Sequence, residues 1–236
     1  MAGELGDART LARVASVTDR DQLDQVVQDT LERFGRLDLV FANAGIACDP
    51  STTVLKMQEA TFERIIEVNL LGVWRTVRAC LPYIVESKGH ILVTASIYAY
   101  VNGLVNTPYA MSKAGVEMFG RSLRSELAGT GAAAGVLYPG WVSTPISHSA
   151  MGGHVIAAAL VRLAYPGPFK APITPEVVAA ATIRGVQRRS ARIMVPRRWA
   201  PISMLRGIFN PISDWVIDRH RGIHALVREL ERKERG

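Results

Sequence analysis

Apolar runs of strand length, each separated from the next by a helix-length amphipathic stretch, restrict this chain more than any other feature. "GHILVTAS" at 89–96 and "AAAGVLYPG" at 132–140 are apolar at nearly every position rather than every second one. A strand with that pattern is buried on both faces, and such strands belong to parallel sheets covered by helices. "LDLVFANAG" at 37–45 and "RIMVP" at 192–196 read as further strands, and "TLARVASV" at 10–17 reads as one before them. Between them, "TDRDQLDQVVQDTLERFG" reads as a capped helix closed by Gly35. "TFERIIEVNLLGVWRTVRACLPYIVES" reads as a long helical region, and the stretch from Thr107 to Leu127 as another helix. The alternation predicts an α/β fold, a parallel sheet with helices on both faces.

With 236 residues the chain fits one large domain or two small ones, and it can bury a substantial core. Its 48% hydrophobic and 21% charged residues are those of an ordinary globular protein. Cys48 and Cys80 form neither a disulfide framework nor a metal-ligand spacing, so a reducing, cytoplasmic setting is expected. The opening "MAGELGDART" has no basic and apolar leader pattern, and no apolar run nears the ~18 residues of a membrane span. His220 and His224 share i,i+4 spacing, but no third ligand accompanies them and Gly222 weakens the helix, so no metal site is expected.

Charge is unevenly placed. From Arg184 to the end there are 13 basic and 5 acidic residues, against 15 and 16 in the remainder. The larger part is therefore nearly neutral and does not look like a nucleic-acid binder. Residues 1–198 read as the main domain and 199–236 as a basic amphipathic extension. That extension mixes Trp199, Ile208, Phe209, Ile212 and Trp215 with many arginines. Such composition suits peripheral contact with an anionic membrane surface. It equally suits packing on a substrate mouth or a subunit neighbour.

Tyr109 and Lys113 stand one helical turn apart and share a face. A phenol titrates near 10 in water, and a neighbouring cation favours its anion, which prepares it for proton transfer. Spacing alone is a weak signal. Ser96 ends the apolar strand thirteen positions earlier, "ANAG" ends the strand before it, and "YPGWVST" ends the strand after it. In an open parallel sheet, ligands bind at the carboxyl ends of strands, so three successive strand ends converge on one ligand. Ile97, Tyr98, Tyr100, Val101, Leu104 and Val105 make the adjoining crevice apolar. The apolar, small-residue stretch between Pro145 and Tyr165 reads either as a mobile substrate cover or as a packing helix.

Taken in order, N-A-G at 43–45, Asn69 in "EVNLLGVWRT", Ser96, the Tyr109/Lys113 pair and P-G-x-x-x-T at 139–144 resemble the short-chain dehydrogenase/reductase family. The likeness runs from about residue 12 to residue 200. It implies an oxidoreductase that interconverts an alcohol and a ketone or aldehyde with NAD or NADP. Tyr109 then exchanges the proton at the substrate oxygen. Lys113 lowers the phenol pKa and holds the nicotinamide ribose, Ser96 orients the carbonyl or alcohol, and Asn69 kinks its helix and holds a water. The resemblance also places Asn43, Ala44 and Gly45 along the adenosine-side ribose. Pro139, Gly140, Val142 and Thr144 fall at the nicotinamide. The pocket implied is hydrophobic, for a lipid-, steroid- or retinoid-like alcohol or carbonyl, and a homo-oligomer is expected.

The family pattern opens with a strand and a glycine-rich T-G-x-x-x-G-x-G turn that holds the pyrophosphate at a helix N-terminus. Gly3 and Gly6 do not make such a turn, and the chain begins where the family's third strand begins. The expectation is an N-terminally truncated, incomplete Rossmann-like sheet missing the family's first two strands, with a weakened cofactor grip. A remnant acting by dimerisation, ligand binding or membrane-surface contact is the alternative. In the family's strand order 3-2-1-4-5-6-7, residues 10–17 lose their usual neighbours. They are expected either to cross over beside "LDLVFAN" or to pack irregularly or with another chain.

Overall fold

The computed structural model describes residues 9–144, 155–164 and 167–233. Helix α1 (Arg20–Phe34) begins where the Asp19 side chain accepts the amide hydrogen of Gln22, and ends at Gly35 in the left-handed region at φ 76°. Strand β1 (Leu39–Ala42) follows. Helix α2 (Glu59–Ile66) runs through one π turn, Glu67–Leu71, into α3 (Gly72–Glu86). Strand β2 (His90–Thr94), helix α4 (Thr107–Glu126) and strand β3 (Ala133–Pro139) come next. Helices α5 (Val155–Ala164) and α6 (Pro175–Gln187) precede β4 (Arg192–Val195). Three helices close the described chain: α7 (Ala200–Met204), α8 (Arg206–Ile217) and α9 (Arg221–Lys233). No described helix is long and apolar enough to cross a membrane.

The four strands form one parallel sheet in the order β1-β2-β3-β4, with β2 and β3 in the middle. Every residue of β2 is buried, as its unbroken apolar run requires. Alternation along the strands divides the side chains between two faces. Val40 and Ala42, Ile91 and Val93, and Val136 and Tyr138 enter the main core with Val77 and Ile84 of α3 and Val116 and Leu123 of α4. Gly120 allows α4 to lie directly on the sheet, since a Cβ there would stand 2.6 Å from Val136 and 2.7 Å from Val93.

The opposite face is covered unequally. Leu92, Leu137, Ile193 and Val195 pack under α6 through Val178, Ala181 and Val186. Leu39 and Phe41 of β1 point the same way yet remain 42% and 43% exposed. No described strand pairs with the outer edge of β1. This face is thus covered at β3 and β4 and bare at β1.

Residues 10–17 correct the reading of "TLARVASV" as a strand: they run without regular structure until a turn at 17–18. Of the two placements expected, the irregular one is adopted. Val14 is fully exposed, Arg13 pairs with Asp29 of α1, and the Ser16 amide donates to Gln22 Oε1 at 2.8 Å. Strand conformation needs a neighbouring strand for its hydrogen bonds, and none of the described strands pairs with this segment. The Pro145–Tyr165 stretch lies partly outside the described residues. Its described part, α5, packs Ile156 and Leu160 against Ile223 and Leu230 of α9.

Candidate functional site

Three strand ends open into one cavity of about 760 Å³. Period-two alternation explains its floor: Leu39, Phe41 and Asn43 continue one face of β1, and Leu92, Thr94 and Ser96 the same face of β2. Leu137 and Pro139 do so from β3, and helix α6 adds Val178, Thr182 and Val186. Ser96, Tyr109, Lys113, Asn43, Gly45, Pro139, Gly140, Val142 and Thr144 all line this space. Ala44 is exposed and does not line it.

Ser96 is buried just beyond β2, and its hydroxyl also accepts the Tyr98 amide at 3.2 Å, starting a single 3-10 turn. Tyr109 lies in the first turn of α4, where Pro108 fits because the opening amides of a helix have no internal acceptor. Its ring meets Tyr98 edge-on at 5.6 Å between centroids, and Tyr98 in turn meets Trp141 at 5.5 Å. Burial pushes the Tyr109 phenol above its ordinary value, and the hydrogen bond with Ser96 works against that rise.

Lys113 is anchored at the end of β2. Its ammonium donates to the Thr94 carbonyl at 2.9 Å and stands 5.6 Å from the Tyr109 ring centroid, over the ring face. Only 3% of Lys113 is accessible, and burial lowers its pKa to about 8. Among the described residues no carboxylate pairs with it. A buried amine facing a cavity can give hydrogen bonds to hydroxyl groups there.

Asn69 occupies the π turn between α2 and α3 and is completely buried. Such turns break the helical ladder and re-aim a side chain. Its carboxamide receives the Ile46 amide hydrogen at 2.8 Å and donates to the Ile46 carbonyl, also at 2.8 Å. It donates further to Ser112 Oγ at 3.2 Å. Asn69 therefore holds the Gly45–Ile46 loop against α4 from behind and does not line the cavity. A Cβ at Gly45 would stand 3.4 Å from both Asn69 Oδ1 and Lys113 Nζ, so the loop passes close to the amine.

Sequence reasoning missed Thr94. Its hydroxyl donates to Asn43 Oδ1 at 2.9 Å and its carbonyl takes the Lys113 ammonium, so it ties two strand ends to the α4 amine. Its place two residues before Ser96, on the same strand face, is the signal that marks it. Beyond β3, Gly140 donates to the Val195 carbonyl at 2.7 Å, and Val142 bridges to Ile173. These bonds fix the 139–144 loop at the cavity.

A family model described as short chain dehydrogenase matches residues 1–152. A 3-oxoacyl-[acyl-carrier-protein] reductase of Thermotoga maritima is 34% identical over 135 residues, which is 57% of this chain and 54% of that protein. Momilactone A synthase of Oryza sativa subsp. japonica is 30% identical over 153 residues, covering 64% of this chain and 56% of its own. The chain spans about half the length of the curated relatives it matches. Among solved structures, a 3-ketoacyl-(acyl-carrier-protein) reductase from Brucella melitensis complexed with NADH superposes with a TM-score of 0.71 at 26% identity. That match covers 82% of this chain and 79% of that one. An alcohol dehydrogenase from the archaeon Thermococcus sibiricus complexed with 5-hydroxy-NADP gives 0.62 at 26% identity, over 76% and 71%. By the family match and the strand-end geometry together, the chain belongs to the short-chain dehydrogenase family.

Proposed function

We propose that the chain is built for NAD(P)-dependent interconversion of a hydrophobic alcohol with its ketone or aldehyde. The observation that carries this reading is the joint exposure of Ser96, Tyr109 and Lys113 to one largely apolar cavity. Tyr109 donates its proton to the carbonyl oxygen in reduction and takes it back in oxidation, while Ser96 holds both oxygens in line. The nicotinamide dinucleotide, when bound, supplies or accepts the hydride. The residues present fit its nicotinamide half. Lys113 is a buried donor with no carboxylate partner among the described residues, and the Gly45 backbone approaches it closely. Lys113 and Tyr109 would hold the nicotinamide ribose, Val142 and Thr144 the carboxamide, and Asn43 to Gly45 the other ribose.

The test is a titration with NADH and NADPH followed by turnover of an apolar ketone. Nucleotide binding should be detectable, and Tyr109→Phe should still bind through Lys113 while losing about 10²–10⁴-fold in turnover. Equal turnover in the two proteins would defeat the reading. The bare sheet face at Leu39 and Phe41 favours a second one, a non-catalytic homo-oligomer or ligand-binding protein. Absence of any fluorescence change at millimolar nucleotide would select it.

A further inference from the structure

Helix α8 is amphipathic the wrong way round. Leu205, at its start, and Ile208, Phe209, Ile212, Trp215 and Val216 recur at spacings of three and four, so they lie on one stripe. All six are exposed, from 41% at Phe209 to 62% at Ile208, and no residue of the helix is buried. The polar side faces the protein instead. Arg206 gives two hydrogen bonds to the buried Glu117 carboxylate, at 3.0 and 2.9 Å, and Asp214 accepts from Asn102 Nδ2 at 3.0 Å. Polar bonds thus fasten the helix to the body while its apolar stripe is presented outward. A single packed protein has no reason to order a helix that way.

We propose that this stripe is a docking surface for an anionic lipid bilayer, with α8 lying in the plane of the interface. Charge selects this occupant. Residues 197–221 carry five arginines and two aspartates, and Arg197, Arg219 and Arg221 are exposed. The Arg219 guanidinium stands 4.7 Å over the Trp215 ring, which sets a cation at the edge of an aromatic anchor. Acyl chains take the stripe while lipid phosphates and carboxylates meet the arginines. Two copies meeting through the same surface would oppose arginine to arginine, which is unfavourable. The position of the helix carries a consequence for the cavity. Ile217, its last residue, and Asn102, its hydrogen-bonded neighbour, both line the cavity wall. Docking through α8 places that wall next to the lipid, so an apolar substrate has a route from the bilayer. This last step rests on the oxidoreductase reading, whereas the docking itself does not.

The experiment is flotation of the full chain with phosphatidylcholine vesicles and with vesicles that also contain phosphatidylserine. The chain should float with the phosphatidylserine vesicles, and high salt should weaken the association. Combined Ile208→Ser, Phe209→Ser, Ile212→Ser and Trp215→Ser should reduce it at least tenfold with an unchanged far-ultraviolet circular dichroism spectrum. Arg197→Glu with Arg219→Glu should reduce it too, with the stripe intact. Failure to float, or flotation indifferent to the stripe, would overturn the proposal. So would a dimer, seen by light scattering, that only the stripe substitutions dissociate. None of these readouts depends on turnover.

Discussion

The Asn69 carboxamide and the Ile46 backbone form a reciprocal pair of hydrogen bonds, each 2.8 Å. One side chain thereby satisfies both backbone polar groups of one loop residue, as a neighbouring strand otherwise would. The arrangement fixes the loop that approaches Lys113, and it depends on an amide having both a donor and an acceptor.

Asn69→Ala should therefore destabilise the fold by about 2 kcal/mol, because both Ile46 groups lose their partner. Asn69→Asp should cost at least as much, since it sets a carboxylate oxygen against the Ile46 carbonyl. Urea denaturation monitored by circular dichroism measures both. A cost near zero for the alanine variant would show that water replaces the side chain readily.

Lys113 should be a stability cost that depends on pH. Burial lowers its pKa from 10.5 to about 8, so between those values the unfolded chain binds a proton that the folded chain does not. Stability from this group accordingly rises with pH from about 8 toward 10.5, and the full cost is present below 8. Lys113→Met should stabilise the chain at pH 7 by on the order of 2 kcal/mol and by less as the pH rises through that window. Denaturation midpoints of both proteins, compared at pH 7 and at pH 9.5, check the sign. Loss of the hydrogen bond to Thr94 makes the gain smaller than the pKa shift alone implies.

Much of the architecture was legible because its causes are local. The unbroken apolar run of β2 marks a strand covered on both faces, and the Asp19 and Gly35 signals bound α1 at both ends. The convergence of Ser96, Tyr109 and Lys113 followed from sheet logic and from resemblance together. Residues 10–17 were misread because a β-rich composition says nothing about whether a neighbouring strand exists. The direction of the Lys113 ammonium was equally invisible, since i,i+4 spacing fixes a shared helix face and leaves four side-chain torsions free. The outward stripe of α8 could be read as a pattern, but which way it faced depended on Glu117 and Asn102, distant in sequence.

The open edge of the sheet predicts a surface that tolerates polar residues. Leu39 and Phe41 are both more than two-fifths exposed, so replacing them should cost less than a core substitution. Leu39→Thr with Phe41→Thr places β-branched residues on the strand and should cost about 1 kcal/mol each. Self-association and binding of a hydrophobic dye should fall, because an unpaired strand edge beside an apolar face invites pairing with another chain. Light scattering and dye fluorescence on the two proteins test this. A large loss of stability would mean that these side chains are covered in solution.

The contact of Glu117 with Arg206 makes the sharpest energetic prediction. The Glu117 side chain is 4% exposed and its neighbour Arg206 is 34% exposed, with a closest separation of 2.9 Å. Arg121 stands farther off, at 3.7 Å, and is about half exposed, so it screens the carboxylate only partly. Arg206→Met leaves a buried carboxylate without its main partner and should cost about 2–3 kcal/mol, less than a fully buried pair because of the exposed guanidinium. Adding Glu117→Gln to that variant removes the uncompensated charge and should recover more than half of the loss. The recovery separates a charge left unpaired from the loss of packing between α4 and α8, which the glutamine does not restore. If the double variant is as unstable as Arg206→Met alone, packing rather than the carboxylate governs this junction. Vesicle flotation of the double variant then shows whether α8 must be fastened to the body to bind lipid.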